Sequence, residues 1–224
     1  MNNSIELMCG PEDDQRLLSI SLPKNEDCLS VISVGFTGGI DSAFLLYLVI
    51  KLNSIQEIPY IIQPITILGD KFIEQLEYIP KIIDYIKKTT NQQVHDTRFI
   101  HIDDTTINAT KQLNQGFGEA LTYSKLLCLG DNEHPPLLTV NYLRNFTKDP
   151  KIYQPFQKLR KPHIIDAMIK LDLEELINLA PKCLYYHKYW NSHCDIFFCK
   201  ERRWAYNLLK RNDLLEQFLS RDPK

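Results

Sequence analysis

Two stretches of this chain hold residue types whose spacing could do chemistry. In Thr37-Gly38-Gly39-Ile40-Asp41-Ser42, two glycines, two hydroxyls and a carboxylate separate one apolar run from the next. Gly38 and Gly39 let the backbone turn sharply and approach a ligand with no Cβ in the way. Asp41 and Ser42 then open a helix, whose unpaired N–H groups and macrodipole favour negative charge by roughly 0.3–1 kcal/mol per anion. The anion that suits such a turn is a phosphate chain. No Gly-Lys-Ser/Thr follows, so this is not a Walker loop, and the spacing is not Gly-x-Gly-x-x-Gly. An ordinary strand-to-helix turn that uses its glycines for sterics alone would carry the same residues.

The second stretch places Cys183, His187, His193, Cys194 and Cys199 within 17 residues. Zinc takes four such ligands in a tetrahedron, often two of them on a tight C-x2–4-C turn, and Cys194 with Cys199 fits it. Cys183 would be the third ligand, and His193 or His187 the fourth. The competing account is that these thiols are small buried hydrophobes. An iron–sulfur cluster fits less well, since three cysteines and a histidine are an uncommon set for one.

The elements around these stretches must position them. Val31, Ile32, Val34 and Phe36 form a β-branched and aromatic run suited to a covered strand. A helix follows from about Asp41 to Leu52, then a second strand over residues 60–68, in which Pro64 points to an edge or bulge. Phe72, Leu76, Ile79, Ile82, Ile83 and Ile86 recur at helical spacing, and residues 97–102 read as a third strand. The order β-α-β-α-β predicts an α/β fold with an open parallel sheet and helices on both faces. Ligands bind such sheets beyond the carboxyl ends of the strands. The loop at 37–42, Gly69-Asp70 and Asp103-Asp104 all fall on that edge.

Farther along, residues 107–129 read as a helix interrupted at Gly116-Phe117-Gly118, and Pro135 to Val140 as a turn into a fourth strand. Residues 142–162 are basic and irregular, which suits a loop over the site or a crossover. Short helices are expected over 164–170 and 173–179, and one amphipathic helix over 201–219. Lys125, Arg144, Arg160, Lys161 and Arg202 are candidates to neutralise phosphate or a substrate carboxylate.

With 224 residues, 44% of them hydrophobic, the chain can build one sizeable core, expected over residues 1–180, with residues 181–224 as a Cys-rich segment packed on it. Lys and Arg number 26 against 28 Asp and Glu, a net charge of −2 that argues against nucleic acid as a direct substrate. Residues 1–28 lack the basic start and apolar run of a signal peptide, and no apolar stretch is long enough to span a membrane. A cytoplasmic protein is expected, and clustered cysteines there favour metal over disulfide.

The loop Thr37 to Ser42 resembles the Ser-Gly-Gly-x-Asp-Ser loop of the PP-loop ATP pyrophosphatases, with Thr37 in place of the usual serine and its hydroxyl kept. The cysteine tract is similar to the C-terminus of the 7-cyano-7-deazaguanine synthases, matched at Cys183, Cys194, Cys199 and Lys200-Glu201-Arg202. One of that family's zinc-binding cysteines is missing, near Ile196. The resemblance implies adenine nucleotide alpha-hydrolase-like architecture and cleavage of ATP, with Mg²⁺, to AMP and pyrophosphate. It implies nucleotide contacts at Phe36, Thr37, Gly38, Gly39, Ile40, Asp41, Ser42, Ile67 and Leu68, with Asp41 and Ser42 catalytic. It further implies Zn²⁺ on Cys183, His193, Cys194 and Cys199. The substrates would be a heterocyclic carboxylate and ammonia, leading to an amide or nitrile, and a homodimer is compatible with it. The family's central substrate-binding segment has no clear match, so related acceptors (amide synthesis, tRNA thiolation) and a non-catalytic ATP-binding module remain as alternatives.

Overall fold

The computed structural model describes residues 4–68, 76–102, 109–133, 149–181 and 197–220. Five parallel strands make its main sheet: β3 (Val31–Gly35), β4 (Ile61–Leu68), β5 (Arg98–His101), β6 (Leu126–Cys128) and β7 (Ile152–Tyr153), in the order β5-β4-β3-β6-β7. Before them, β1 (Ser4–Cys9) and β2 (Arg16–Ser21) pair antiparallel as a separate hairpin. The helices are α1 (Ile40–Asn53), α2 (Tyr78–Thr90), α3 (Ala109–Tyr123), α4 (Lys161–Lys170), α5 (Glu174–Leu179), α6 (Phe197–Leu208) and α7 (Asn212–Ser220).

Side chains of a strand alternate between faces, and both faces of this sheet are covered. Ile32 and Val34 of β3, Ile62 of β4 and Cys128 of β6 join the larger core with α1, α2, α4 and α5. Ile65, Ile67, Ile100, Leu127 and Leu129 face the other way, against Leu113, Phe117 and Ala120 of α3. The predicted parallel α/β sheet with helices on both faces is thus the observed one.

Helix α1 is buried on every side, from Ile40 through Leu52 with Asp41 and Lys51 as the more open positions. A helix apolar all round belongs inside the fold. It packs against β3, β4, α2, α4 and α5, so its first turn is fixed by the whole core.

Several sequence-based expectations are corrected. Residues 107–129 are not an interrupted helix: among the described ones, α3 runs unbroken through Gly116 and Gly118, and Leu126–Cys128 is the fourth strand of the sheet. A Cβ at Gly116 would lie 2.3 Å from Ile67 Cδ1, so the glycine lets α3 press onto β4 and does not break it. Pro64 lies in a strand with neighbours on both sides. Ile61 and Ile65 bond toward β3, so Pro64 turns its donorless nitrogen the other way, where pairing with β5 begins only at Ile65 with Arg98. The amphipathic helix expected over 201–219 is two helices, broken where Lys210 takes a φ of 55°. The basic irregular stretch holds β7 and the start of α4 within its described part, while Gly69-Asp70, Asp103-Asp104 and the strand expected at Pro135 to Val140 lie outside the described residues.

Candidate functional site

In chain order the sheet runs outward from β3 to β4 and β5, then returns to the other side of β3 for β6 and β7. The connections leaving β3 and β6 therefore diverge, and the crevice at that reversal is where open α/β sheets take ligands. The loop from Thr37 to Ser42 leaves β3 at this point, and Leu129-Gly130-Asp131 leaves β6 beside it. A Cβ at Gly130 would approach the Asp41 carbonyl to 3.1 Å and the Ser42 nitrogen to 3.3 Å. The two loops are in contact because Gly130 has no side chain.

The turn is built from its own polar atoms. Gly38 has a φ of 76°, a left-handed conformation that an L side chain strains to adopt. The Ser42 hydroxyl donates to the Gly39 carbonyl at 3.0 Å, accepts from the Thr37 N–H at 3.2 Å and lies 3.2 Å from the Thr37 hydroxyl. The first backbone bond of α1 runs from Ala43 N–H to Gly39 C=O at 2.9 Å, and no side chain caps the helix. The amides of Ile40, Asp41 and Ser42 precede that bond. They open onto the end of a buried helix, the arrangement that attracts an anion.

The residues expected to meet a nucleotide divide in two. Thr37 is exposed, Gly39 and Asp41 are half-buried, and Gly38 and Ser42 are buried within the turn. Phe36 and Ile40 put their side chains wholly in the core. Phe36 N–H donates to Ile65 C=O, and its carbonyl accepts from the Thr66 hydroxyl, so it anchors the strand end. Ile67 packs its side chain on Gly116, and the Leu68 carbonyl accepts from Ile102 N–H at 3.1 Å. Both sit at the carboxyl end of β4, the edge where nucleotide contacts were expected.

Asp41 is the electrostatic centre. One of its carboxylate oxygens is bonded to Lys161 Nζ, at the start of α4, and Lys161 Nζ is also 3.6 Å from Glu201 of α6. Lys161 and Glu201 are buried, at 8% and 1% side-chain exposure. Burial works to discharge the Lys161 ammonium, but Asp41 and Glu201 outweigh it and hold its pKa above the ordinary lysine value. Burial raises the Asp41 carboxyl, against the pull of Lys161, and the charges of Glu201 and Asp131 add to the rise. The other oxygen of Asp41, Oδ1, is fully buried with no hydrogen-bond partner.

Two carboxylates, those of Asp41 and Glu201, thus act on one ammonium here, and the charge of Asp131 acts on Asp41. The nearby Arg202 spends its hydrogen bonds on Tyr206, Pro181 and Ile177, tying α6 to the end of α5. A polyphosphate would enter an acidic crevice, which needs a divalent cation between ligand and protein. The unpartnered Asp41 Oδ1, with Asp131 beside it, is the hard oxygen set that Mg²⁺ takes when it is shared with phosphates. Among the described residues no group of three or more His, Cys, Asp or Glu is placed to hold a metal ion. Cys128, at the end of β6, is not a nucleophile, since burial pushes its thiol up to about 12.

Of the other basic candidates, Arg160 bonds Glu133 at 2.8 Å and Lys125 lies over the Tyr60 ring, so both serve the fold. Arg144 lies outside the described residues, as do Cys183, His187, His193 and Cys194 of the expected zinc site. Cys199 is described, fully buried on α6. Asp131, Lys161 as the partner of Asp41, Glu201 and Gly130 were not assigned these roles from sequence. The separations are 90, 120 and 160 residues from Asp41 for Asp131, Lys161 and Glu201 in turn, and no local pattern spans them.

No family model matches the sequence, and no curated protein matches it. Among solved structures, the chain is similar to the U34-tRNA thiolase NcsA from Methanococcus maripaludis with its [4Fe-4S] cluster, at 15% identity and a TM-score of 0.45. The likeness covers 86% of this chain and 70% of that one.

Proposed function

We propose that the chain is a PP-loop ATP pyrophosphatase that activates a carboxylate for attack by ammonia. The observation that carries the reading is the glycine turn at the sheet's reversal point, whose uncapped helix amides open beside a carboxylate with one buried, unpartnered oxygen. In the proposed reaction a carboxylate oxygen attacks the α-phosphorus of ATP and the bond to the bridging oxygen of the β-phosphate breaks. Pyrophosphate leaves with the electron pair, held by the amides of Ile40 to Ser42. Such fixed dipoles act where charge develops and need no reorganisation during the step. Ammonia then attacks the acyl carbon and AMP departs, leaving an amide; a second activation would remove its oxygen to give a nitrile.

The chain's own residues take definite parts. Asp41 would hold Mg²⁺, which supplies charge neutralisation on the phosphates, and Asp131 would assist it. Ser42, which shapes the turn through Gly39 and Thr37, would turn its hydroxyl to the departing pyrophosphate. The backbone of Ile67 and Leu68 would lie against adenine. Zn²⁺ on Cys183, His193, Cys194 and Cys199 would be structural. A heterocyclic carboxylate of the 7-deazaguanine type is the proposed acceptor, on the resemblance of the loop and cysteine tract.

The test is to incubate the protein with Mg·ATP, ammonium and 7-carboxy-7-deazaguanine, separate the nucleotides and follow the base by mass. AMP and pyrophosphate with conversion of the base to amide or nitrile is the expected result. AMP with the base unchanged would retain ATP cleavage and reject this acceptor. ATP binding with no AMP would leave a nucleotide-binding module.

A further inference from the structure

Lys161 is in an unfavourable place for a lysine. It is buried, and it stands in the first turn of α4, the end of a helix where the macrodipole disfavours a cation. Taking an ammonium out of water costs several kcal/mol, recovered only by close opposite charges. Both of its carboxylates come from distant parts of the chain: Asp41 from the phosphate loop, Glu201 from α6. Helix α6 packs on α4, and Arg202 ties it to the end of α5. The three charges join this C-terminal helix to the first turn of α1.

We propose that Glu201 and Lys161 are positioning residues, a buried strut through which α6 fixes the phosphate loop by way of Asp41. Without Glu201, Lys161 has Asp41 as its one remaining carboxylate partner of the pair. It moves onto that carboxylate, neutralises it for a metal ion and leaves the loop without its brace to α6. Through Glu201 and Lys161, the position of α6 is communicated to the turn that would hold nucleotide. The effect on binding rests on the nucleotide reading above; the effect on the loop does not.

The sign of the effect separates a strut from simple electrostatics. Removing a negative charge near a polyanion site should tighten nucleotide binding, whereas removing a brace should weaken it. Glu201→Gln keeps shape and removes charge, and the full-length protein is read in two ways. Hydrogen exchange of backbone amides over residues 37–43, without nucleotide, is expected to rise about tenfold while α2 and β4 stay protected. Affinity for Mg²⁺ with α,β-methylene-ATP, which cannot release pyrophosphate, is expected to fall about tenfold, within the usual range of coupling between sites. If Glu201→Gln does not fold, Glu201→Asp, which withdraws the carboxylate by one methylene, carries the same readouts.

Unchanged loop exchange overturns the strut, whatever the affinity does. Faster exchange with equal or tighter nucleotide binding overturns it as a positioning device. If the wild-type protein binds no nucleotide, the ATP reading fails while faster loop exchange in the variant still supports the strut. If the wild type binds and the variant differs in neither readout, the strut fails and the ATP reading stands.

Discussion

A lysine buried between two carboxylates is a local arrangement with a large energetic consequence. Removing one partner of a buried ion pair typically costs about 3–5 kcal/mol, because the charge left behind has neither water nor a counter-ion. Lys161→Met leaves Asp41 and Glu201 facing each other, so the denaturant midpoint should fall by an amount equivalent to about 3 kcal/mol. The deficit should shrink as pH falls from 8 to 5, since a proton on Asp41, whose carboxyl burial already raises, relieves the repulsion. A denaturation series at three pH values checks both statements; a variant as stable as wild type at pH 8 would mean that the pair contributes nothing net. The same residues show where local reading ends. Gly38, Asp41 and Ser42 are contiguous with the strand and helix they join, and their turn was legible. The partners that set Asp41's chemistry are joined to it only by the fold. The bonds that the hydroxyl of Ser42 makes to Gly39 and Thr37 were likewise not legible in the sequence.

At the scale of elements, glycine was the least transparent residue. Gly116 and Gly118 read alike as breakers, yet both sit inside α3 and their surroundings differ. A Cβ at Gly116 would collide with Ile67, whereas one at Gly118 meets nothing within 4 Å. Gly118→Ala should therefore stabilise by about 0.5–1 kcal/mol through the helix preference alone. Gly116→Ala should destabilise by about 1–3 kcal/mol, as overpacking does. Opposite shifts in Tm from these two changes would check the assignment, and equal shifts would refute the close approach of α3 to β4. The N-terminal hairpin was not foreseen at all. One of its ties to the body is His163 of α4, whose Nδ1 accepts from Arg160 N–H and whose Nε2 therefore donates to the Asp14 carbonyl. Burial lowers the His163 pKa below its ordinary value, against the pull of Asp14 and with Arg16 adding to the fall. The unfolded chain then takes up the proton before the folded one does. Stability contributed by neutral His163 is full above about pH 6.5 and is lost as pH falls below it. Asp14 and Glu133, held low by their arginine partners, add their losses only in the more acidic carboxylate range. Stability measured between pH 7 and 5.5 should decline more steeply in the wild type than in His163→Gln.

For the whole molecule, the sequence divided into a nucleotide-binding part over residues 1–180 and a Cys-rich segment after it. The packing of α6 and α7 bears on whether that division is physical. Tyr206, Leu214 and Phe218 are buried in the same core as α1 and α4, and the rings of Tyr206 and Phe218 meet edge to face with centroids 6.0 Å apart. Fully burying a large apolar side chain gives about 1.5–3 kcal/mol, so these three supply roughly 5–9 kcal/mol. Domains of this size have a total stability of about 5–15 kcal/mol. A fragment of residues 1–180 would lose that contribution, expose Leu176 and Ile177 of α5, and leave Lys161 with Asp41 alone. It should be insoluble, or soluble with dye-binding apolar surface and no cooperative melt, while the full chain melts in one transition. A fragment that instead melts cooperatively near the full-chain Tm would show that the C-terminal helices are an appendage. It would also deprive the loop of any need for a brace from α6, since the turn that faces the crevice would then be held by β3, α1 and α4 without help.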